Sequence, residues 1–367
     1  MSFPVKAVIF DWAGTMIDFG CTAPIRALIG VFAEAGIVLP EPIARRDMGR
    51  AKLDHLRLIL AAPDIAEAWS ARYGVAPDEA AVERLYARLE PAMRTAAANS
   101  ARLIPGAADT ASALRALGVK IGSGTGYTRE MMAEILPAAA AAGYEPETVV
   151  CAGETPSGRP APLMTWKALV ELDAWPARAC IKVDDAAVGI EEGRLAGCWT
   201  VGVAASGNGV GLDLETYLAL SDTDRAARRA AAEADLRAAG ADFVIEDVSH
   251  LLPVVHAIAA RLRANGCGPP HTANISREPI RARLTKASMA GPKRRSGSGW
   301  GAAVIARLAW PAIRKARDSS GCRASMEPTA SANSQGAETR AARPTRERSC
   351  SAPPSSAARA RPRLSPA

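Results

Sequence analysis

The sequence predicts an α/β fold in which helices cover a parallel sheet and a helical segment is inserted after the first strand. Six short apolar runs predict strands, at 6–10, 119–123, 148–152, 179–183, 199–203 and 242–246. Alanine-rich amphipathic stretches separate most of these runs, an alternation that is typical of parallel sheets buried between helices. Because binding sites in such sheets form at the carboxyl ends of strands, we expect the polar clusters that follow the strands to lie together.

The helical insert extends from residue 20 to about residue 100, where no run predicts a strand. Periodic apolar residues predict helices there, at 25–36, 45–62, 65–74 and 79–98. The turn Pro105-Gly106 then precedes a helix within 103–118 and marks the return to the sheet. We therefore predict three parts: a core of residues 1–19 and 102–267, a helical domain of residues 20–101, and a tail of residues 268–367.

The charge of the chain is divided unevenly. Residues 1–267 hold 26 Lys and Arg against 33 Asp and Glu, a net charge of −7, whereas residues 268–367 hold 19 against 5, a net charge of +14. The basic tail is rich in Ser, Pro, Arg and Gly, a low-complexity composition that predicts disorder. Such a tail can bind nucleic acid or anionic membrane. Since no aromatic residues are interleaved with its basic patches, we interpret it as non-functional sequence and expect no nucleic-acid partner.

Cysteine usage and hydropathy predict a cytoplasmic protein. The seven cysteines are an odd number without CxxC spacing, which favours free thiols in a reducing compartment. No run of 18 apolar residues is present, so we expect no membrane span. The first residues lack the pattern of a secretory signal peptide.

The stretch "KAVIFDWAGTMID" (6–18) takes a buried strand directly into Asp11, with Gly14 and Thr15 behind it. A carboxylate beside the free backbone N–H groups of a turn can bind a phosphoryl group and attack it. The alternative is an aspartate that only caps the turn. Ala13 stands where a second carboxylate would be the natural acid/base partner.

Two further clusters can bind a phosphate group. Ser123 and Thr125 lie in a glycine-rich turn before a helix, where hydroxyls and backbone N–H groups suit anionic oxygens. Arg159 lies in a proline-rich loop and could clamp a phosphate. Taken singly, the first cluster is also compatible with an ordinary turn and the arginine with a solvated side chain.

The fourth cluster is the acidic pair Asp184 and Asp185, which ends a buried strand. Adjacent buried carboxylates are costly unless a cation neutralises them, and a hard cation such as Mg²⁺ prefers oxygen ligands. The alternative, two exposed acids in a loop, is less consistent with the apolar strand before them.

The predicted helix 45–62 carries a lysine of interest. Met48, Lys52, His55 and Ile59 have the spacing of one helix face. Lys52 at the edge of this face would lose hydration, and the lowered pKa would suit an amine nucleophile toward a carbonyl. The commoner alternative is a surface lysine with its ammonium in water. Gly49 costs a helix about 1 kcal/mol relative to Ala, which suggests a close approach to the backbone.

Together the four clusters resemble the haloacid dehalogenase superfamily in order and spacing across residues 6–203. The resemblance implies a Rossmann-like parallel sheet core, an aspartate nucleophile, an aspartyl-phosphate intermediate and Mg²⁺. It also implies that the helical insert is the small domain that this superfamily calls a cap.

The set "FDWAGT", "MGxxKxxH", "IGSGTGYTREMM", "GRPxPxM" and "KVDDxxxGIxEG" is similar to the phosphonoacetaldehyde hydrolase family over about residues 1–265. This resemblance implies hydrolysis of the C–P bond of phosphonoacetaldehyde to acetaldehyde and phosphate, in the degradation of 2-aminoethylphosphonate. It implies a Schiff base on Lys52 and a phosphoryl group on Asp11. The leaving atom is then carbon, which requires no acid at Ala13.

The resemblance also implies roles for the other residues. The metal ligands would be Asp11, the backbone carbonyl of Ala13 and Asp185, and the phosphonate would be held by Thr125 and Arg159. The surroundings of the lysine would be Cys21, Met48, Gly49, His55 and Tyr127, with Ser123 and Asp184 in support. The family further implies a homodimer formed through the cap.

Two alternatives stay open from the sequence. The first is a phosphatase or phosphomutase of the same superfamily that acts on a phosphate ester. Ala13 argues against it, because the ester oxygen would leave unassisted. The second is a catalytically inactive binding protein with a basic tail for nucleic acid, and the intact Asp11, Lys52 and Asp185 argue against that.

Overall fold

The structure is a computed structural model that describes residues 3–265, apart from the side chains of residues 97–99 and 265. The predicted basic tail, residues 268–367, lies outside the described residues. Within the described range, no helix is long and apolar enough to span a bilayer.

Six parallel strands form one sheet, and all six strand predictions are confirmed. Their order in the sheet is β3-β2-β1-β4-β5-β6. The strands are β1 (Ala7–Phe10), β2 (Lys120–Gly124), β3 (Thr148–Val150), β4 (Cys180–Asp184), β5 (Trp199–Val203) and β6 (Phe243–Ile245). Every residue of β1, β4 and β5 is buried, as expected for strands covered on both faces.

The register of the central strands brings three of the predicted clusters together. Phe10 at the end of β1 is paired with Ser123 of β2 and with Val183 of β4. The residues that follow these three positions are Asp11, Gly124 and Asp184, so they lie side by side at the carboxyl edge of the sheet. The fold alone therefore places an aspartate between the glycine-rich turn and the acidic pair.

Five α-helices lie between β1 and the turn Pro105-Gly106. They are α1 (Thr22–Glu34), α2 (Glu41–Arg46), α3 (Lys52–Leu60), α4 (Pro63–Tyr73) and α5 (Glu79–Ser100). Helix α5 packs against both α1 and α3. Leu28, Leu56 and Leu89 from these three helices are fully buried in one hydrophobic cluster.

The prediction of a single helix over 45–62 is wrong, because a turn divides this stretch between α2 and α3. Gly49 has φ +92° in this turn, a conformation that favours glycine over any residue with a Cβ atom. Met48 and Gly49 therefore do not share a helix with Lys52, and the argument from the helix cost of Gly49 does not apply. Lys52 is instead the first residue of α3.

One further α-helix precedes β2 and six follow it in the described part of the chain, and most of these seven cover the two faces of the sheet. They are α6 (Ala107–Ala116, between α5 and β2), α7 (Ile135–Ala141), α8 (Leu163–Glu171), α9 (Ala187–Ala196), α10 (Leu214–Ala219), α11 (Asp222–Ala238) and α12 (Leu251–Asn265). Helix α8 packs on β2 and β3, and α9 packs on β4 and β5. The loops that precede α8 and α9 therefore reach the same edge of the sheet as Asp11.

Candidate active site

A small cavity lies at the carboxyl edge of the central strands. Its volume is about 20 Å³, which is enough for about one water molecule. The lining residues come from both the sheet region and the helical insert: Asp11, Ala13, Cys21, Met48, Gly49, Lys52, Thr125, Gly126, Tyr127 and Asp185. All but Gly126 belong to the set that the sequence predicted.

Four predicted residues do not line this cavity: Ser123, His55, Arg159 and Asp184. The hydroxyl of Ser123 donates to the carbonyl oxygen of Phe10 at 3.0 Å, so it ties β2 to β1 beneath the site. His55 is fully buried within α3. Arg159 is also buried, and its guanidinium reaches Asp11 from behind the cavity.

A wider groove of about 1240 Å³ lies beside the cavity. Met48 and Asp185 line both spaces. The cavity and the groove therefore adjoin each other at these two residues.

Lys52 is buried, with an exposed fraction of 3 %. Its Nζ atom lies 3.6 Å from Sδ of Met48 and 5.6 Å from the ring centre of Tyr127. Burial lowers the pKa of Lys52 to about 8, although the negative charges of Cys21 and Asp11 would raise it. The alternative of a surface lysine with a hydrated ammonium is therefore excluded.

His55 lies one turn beyond Lys52 on α3. Burial, and then the positive charge of Lys52, lower the pKa of His55 to about 3. Its imidazole is therefore neutral at physiological pH and adds no further positive charge beside the lysine.

Asp11, Asp184 and Asp185 form a buried acidic cluster whose oxygen atoms lie within 4.8 Å of one another. Burial, followed by the negative charge of Asp184, raises the pKa of Asp11 to about 6. Burial and the charges of Asp11 and Asp184 also raise the pKa of Asp185. Burial acts to raise the pKa of Asp184 as well, but the charges of Lys182 and Arg159 outweigh it and lower that pKa.

The buried charges of the site do not balance without a cation. Four buried carboxylates face two buried cationic side chains there: Asp11, Asp184, Asp185 and Glu192 against Arg159 and Lys182. Lys52 adds most of a third positive charge, because with a pKa of about 8 about nine tenths of it is protonated at pH 7. The carboxylates still outnumber these cations, a divalent cation would neutralise the excess, and clustered carboxylates are the ligands that Mg²⁺ prefers. The residues present therefore fit Mg²⁺.

The backbone leaves space for the carboxylate of Asp185. A Cβ atom at Gly14, which has φ +86°, would lie 2.2 Å from Oδ2 of Asp185. That oxygen accepts a hydrogen bond from the backbone N–H of Asn208 at 2.8 Å. The hydroxyl of Thr15 lies 3.5 Å from Oδ1. Gly14 is therefore required for this carboxylate to approach the turn after β1.

Asn208 also connects Asp185 with the helical insert. Its side-chain oxygen accepts a hydrogen bond from Arg45 Nη1 at 3.1 Å, and its Nδ2 donates to the carbonyl of Arg45 at 3.1 Å. Arg45 lies in the last turn of α2 and also donates to the carbonyl of Gly211 at 2.9 Å. Sequence reasoning missed both residues, since no local pattern relates α2 to the loop after β5.

Comparison with known proteins agrees with this geometry. Residues 5–197 match the model of the haloacid dehalogenase-like hydrolase family. The phosphonoacetaldehyde hydrolase of Paraburkholderia phytofirmans is 50 % identical over 258 residues, which cover 70 % of this chain and 97 % of the relative. The phosphonoacetaldehyde hydrolase of Hahella chejuensis is 45 % identical over 269 residues, or 73 % and 91 % of the two chains. This chain belongs to the phosphonoacetaldehyde hydrolase family.

A solved structure supports the same relationship. The phosphonoacetaldehyde hydrolase-like protein of Oleispira antarctica has a TM-score of 0.71 and 44 % identity, and the match covers 72 % of this chain and 96 % of that one. A hydrolase from Pseudomonas syringae, with a TM-score of 0.52 and 20 % identity, shares the fold. The predicted haloacid dehalogenase-like α/β core is thus confirmed.

In this member of the phosphonoacetaldehyde hydrolase family, Arg159 has more partners than the sequence predicted. Its Nη1 atom donates to Oδ1 of Asp11 at 2.8 Å, and its Nε atom donates to Oε2 of Glu192 at 2.9 Å. Lys182, on β4, lies 2.9 Å from Oδ2 of Asp184. Sequence reasoning gave neither Glu192 nor Lys182 a role. The signal for Lys182 was present, because a lysine inside an otherwise apolar buried strand requires a buried acidic partner.

Proposed function

We propose that this chain hydrolyses the C–P bond of phosphonoacetaldehyde to acetaldehyde and phosphate, with Lys52 as the amine nucleophile and Asp11 as the phosphoryl acceptor. The single observation that carries the proposal is that Lys52 and Asp11 line one cavity in which Ala13 replaces a second carboxylate. Membership of the phosphonoacetaldehyde hydrolase family supports it.

In the first half of the proposed reaction, Lys52 forms an iminium ion with the aldehyde. A carbanion is too poor a leaving group for direct cleavage of a C–P bond, so the carbon needs an electron sink. The neutral amine of Lys52 attacks the aldehyde carbon, and loss of water with uptake of one proton gives an iminium ion. With a pKa of about 8, about one tenth of the lysine is neutral at pH 7, compared with far less than 1 % at the ordinary pKa.

In the second half, Asp11 accepts the phosphoryl group. As its carboxylate forms a bond to phosphorus, the C–P bond breaks and its electron pair enters the iminium ion, which leaves an enamine on Lys52. Protonation and hydrolysis of the enamine release acetaldehyde and restore the amine. Water then hydrolyses the aspartyl phosphate and restores Asp11. Because carbon leaves rather than an alkoxide oxygen, Ala13 suffices where a phosphatase needs an acid.

The remaining side chains orient and neutralise the reacting groups. Arg159 donates to Oδ1 of Asp11, which reserves Oδ2 for attack on phosphorus. Thr125 accepts a hydrogen bond from the backbone N–H of Tyr127 at 3.1 Å, so its own hydroxyl proton is available to a phosphonate oxygen. Held by Asp11, the carbonyl of Ala13 and Asp185, Mg²⁺ would neutralise the charge between these carboxylates and the phosphonate.

We further propose the organisation that the family suggests. Residues 1–19 and 102–267 form the catalytic core, residues 20–101 form the cap, and two copies associate through their caps in the cytoplasm. Equilibrium sedimentation of the wild-type chain measures the oligomeric state, and a monomer at micromolar concentration would contradict the dimer.

A product assay tests the proposed activity. The purified chain with Mg²⁺ is supplied with phosphonoacetaldehyde and, separately, with a panel of phosphate esters, and both phosphate and acetaldehyde are measured. Equal release of the two products from the phosphonate, with little ester turnover, supports the proposal. Ester turnover without acetaldehyde release from the phosphonate would favour a phosphatase instead.

A further inference from the structure

We infer that Glu192 is a positioning residue that fixes the guanidinium of Arg159 beside Asp11. The inference rests on the proposed function in one respect, because it takes the phosphonate to bind next to the pair Asp11 and Arg159. It adds a residue, buried behind the cavity, on which the affinity for the anion depends.

The guanidinium of Arg159 is held in three directions. Its Nε atom donates to Oε2 of Glu192 at 2.9 Å, and Nη2 donates to the carbonyl of Gly124 at 2.7 Å. Its Nη1 atom donates to Oδ1 of Asp11 at 2.8 Å and to the carbonyl of Gly49 at 3.3 Å. Because the guanidinium is planar, these contacts fix its orientation as well as its place.

Glu192 is itself held in place independently of the arginine. It lies on α9 with an exposed fraction of 1 %. Its second oxygen, Oε1, accepts a hydrogen bond from the backbone N–H of Thr165 at 3.1 Å. Thr165 lies in the first turn of α8, where backbone N–H groups lack partners within the helix and a negative charge is favoured. The carboxylate is thus a fixed anchor for Arg159.

Lys182 offsets the free-energy cost of burying the carboxylate of Glu192. Its Nζ atom lies 3.7 Å from Oε2 of Glu192 and 2.9 Å from Oδ2 of Asp184. Gly193 provides the space, since a Cβ atom there would lie 2.6 Å from Cβ of Lys182. A buried carboxylate that shares two cations forms a strong, charge-assisted hydrogen bond.

Without Glu192, the guanidinium of Arg159 would be free to bind a competing carboxylate, that of Asp184. Oδ2 of Asp184 lies only 3.5 Å from Nη2 of Arg159. Without Glu192 the guanidinium can turn toward that carboxylate and away from Asp11. We therefore expect the affinity for the anion to fall, whereas the reaction of Lys52 with an aldehyde is retained.

The substitution Glu192→Gln tests this inference. Glutamine has the same shape, but its single acceptor oxygen cannot serve both Nε of Arg159 and the N–H of Thr165. Isothermal titration calorimetry of inorganic phosphate, with Mg²⁺ present, measures binding without turnover. We expect the Kd for phosphate and the KM for phosphonoacetaldehyde to rise at least about tenfold, the scale of a lost hydrogen bond to a charged group, and kcat to fall by a smaller factor.

The matched control is Glu191→Gln on the same helix. The side chain of Glu191 is 44 % exposed and lies 3.9 Å from Arg194. We expect its phosphate Kd and KM to stay within twofold of the wild type. Unchanged phosphate Kd and KM in a folded Glu192→Gln protein would overturn the inference.

A second variant keeps the inference testable if Glu192→Gln does not fold. The double variant Glu192→Gln with Lys182→Met removes one buried charge of each sign, so the charge balance of the network is retained. We expect it to fold and still to bind phosphate weakly. Phosphate affinity equal to that of the wild type would assign Glu192 a purely structural role and overturn the inference.

The outcomes distinguish this inference from the proposed function. A wild-type chain that binds phosphate but releases no acetaldehyde would contradict the proposed function, while the calorimetric comparison of the two glutamate variants still decides the role of Glu192. A wild-type chain that binds no phosphate in the presence of Mg²⁺ would contradict the inference as well, because Arg159 would then face no anion.

Discussion

Asp11 and Lys52 face one cavity from two different parts of the chain, since Asp11 follows the central strand β1 and Lys52 begins helix α3 of the insert. The negative charge of Asp11 acts to raise the pKa of Lys52 and opposes the effect of burial. The group proposed to form the imine and the group proposed to accept the phosphoryl group are therefore electrostatically coupled.

The lowered pKa of Lys52 predicts the pH dependence of the reaction. Only the neutral amine attacks the aldehyde, so kcat/KM should rise with pH through an apparent pKa of about 8 and then level off. The titratable groups that act on Lys52 are Cys21, Asp11 and Asp185, which raise its pKa, and Arg159, which lowers it. Initial rates measured across about pH 6–10 check this. A profile that is flat or falls through pH 8 would contradict the role of Lys52 as an amine nucleophile.

The repulsion within the acidic cluster predicts a stabilising effect of Mg²⁺. The raised pKa of Asp185 indicates that its negative charge is unfavourable in the absence of a cation. With chelator present, Asp185→Asn should therefore raise the Tm, by about 2–4 °C for each kcal/mol gained in the free energy of unfolding. Mg²⁺ should raise the Tm of the wild type and have no such effect on Asp185→Asn. The control is Asp222→Asn, since the side chain of Asp222 is exposed. Its Tm should respond to Mg²⁺ like that of the wild type. If Asp185→Asn keeps the wild-type response, the ion binds elsewhere.

The close approach of Gly14 to Asp185 predicts opposite effects for two glycine substitutions. Gly14→Ala requires a positive φ and puts Cβ 2.2 Å from Oδ2 of Asp185, so it should lower the free energy of unfolding by about 1–3 kcal/mol or more. Gly30→Ala lies within α1 with no atom within 4 Å, and should raise it by about 0.5–1 kcal/mol. Urea unfolding measures both. Equal effects of the two substitutions would show that the turn at Gly14 has a different geometry.

A shortened chain tests the predicted boundary of the core. The alignment with the Paraburkholderia phytofirmans relative covers 97 % of that protein in 258 residues, so a chain that ends at residue 267 should fold and retain activity. A chain that ends at residue 250 loses α12, including the fully buried Val255 and Ile258, and should be insoluble or unfolded. Loss of most activity in the 1–267 chain would show that the boundary is wrong.

The strands of the sheet could be predicted from the sequence because a short, continuous run of residues marks each of them. Runs such as residues 199–203 are mostly apolar, and β5 occupies those same five residues. The order of Asp11, Thr125 and Asp185 along the chain follows from the same runs, since each residue comes just after a buried strand. Parallel pairing then brings strand ends together without any information from distant contacts.

The turn before Lys52 could not be predicted, because spacing alone does not distinguish one helix from two. Met48 and Lys52 are four residues apart and do touch, but across a turn in which Gly49 has a positive φ. The anchoring of Arg159 by Glu192 was missed for a different reason. It joins the loop before α8 to α9, and that contact depends on tertiary packing rather than on any local pattern.

Trapping of a covalent adduct on Lys52 tests the central claim most directly. The wild-type chain, with Mg²⁺ and phosphonoacetaldehyde, is treated with borohydride during turnover, and the modified peptide is identified by mass spectrometry. Lys52→Arg keeps the charge but cannot form an imine, so it should remain folded, lose nearly all activity and escape modification. We predict irreversible inactivation of the wild type and a reduced two-carbon adduct on Lys52. An adduct on another lysine such as Lys120 or Lys182, or turnover by Lys52→Arg near the wild-type rate, would contradict the account.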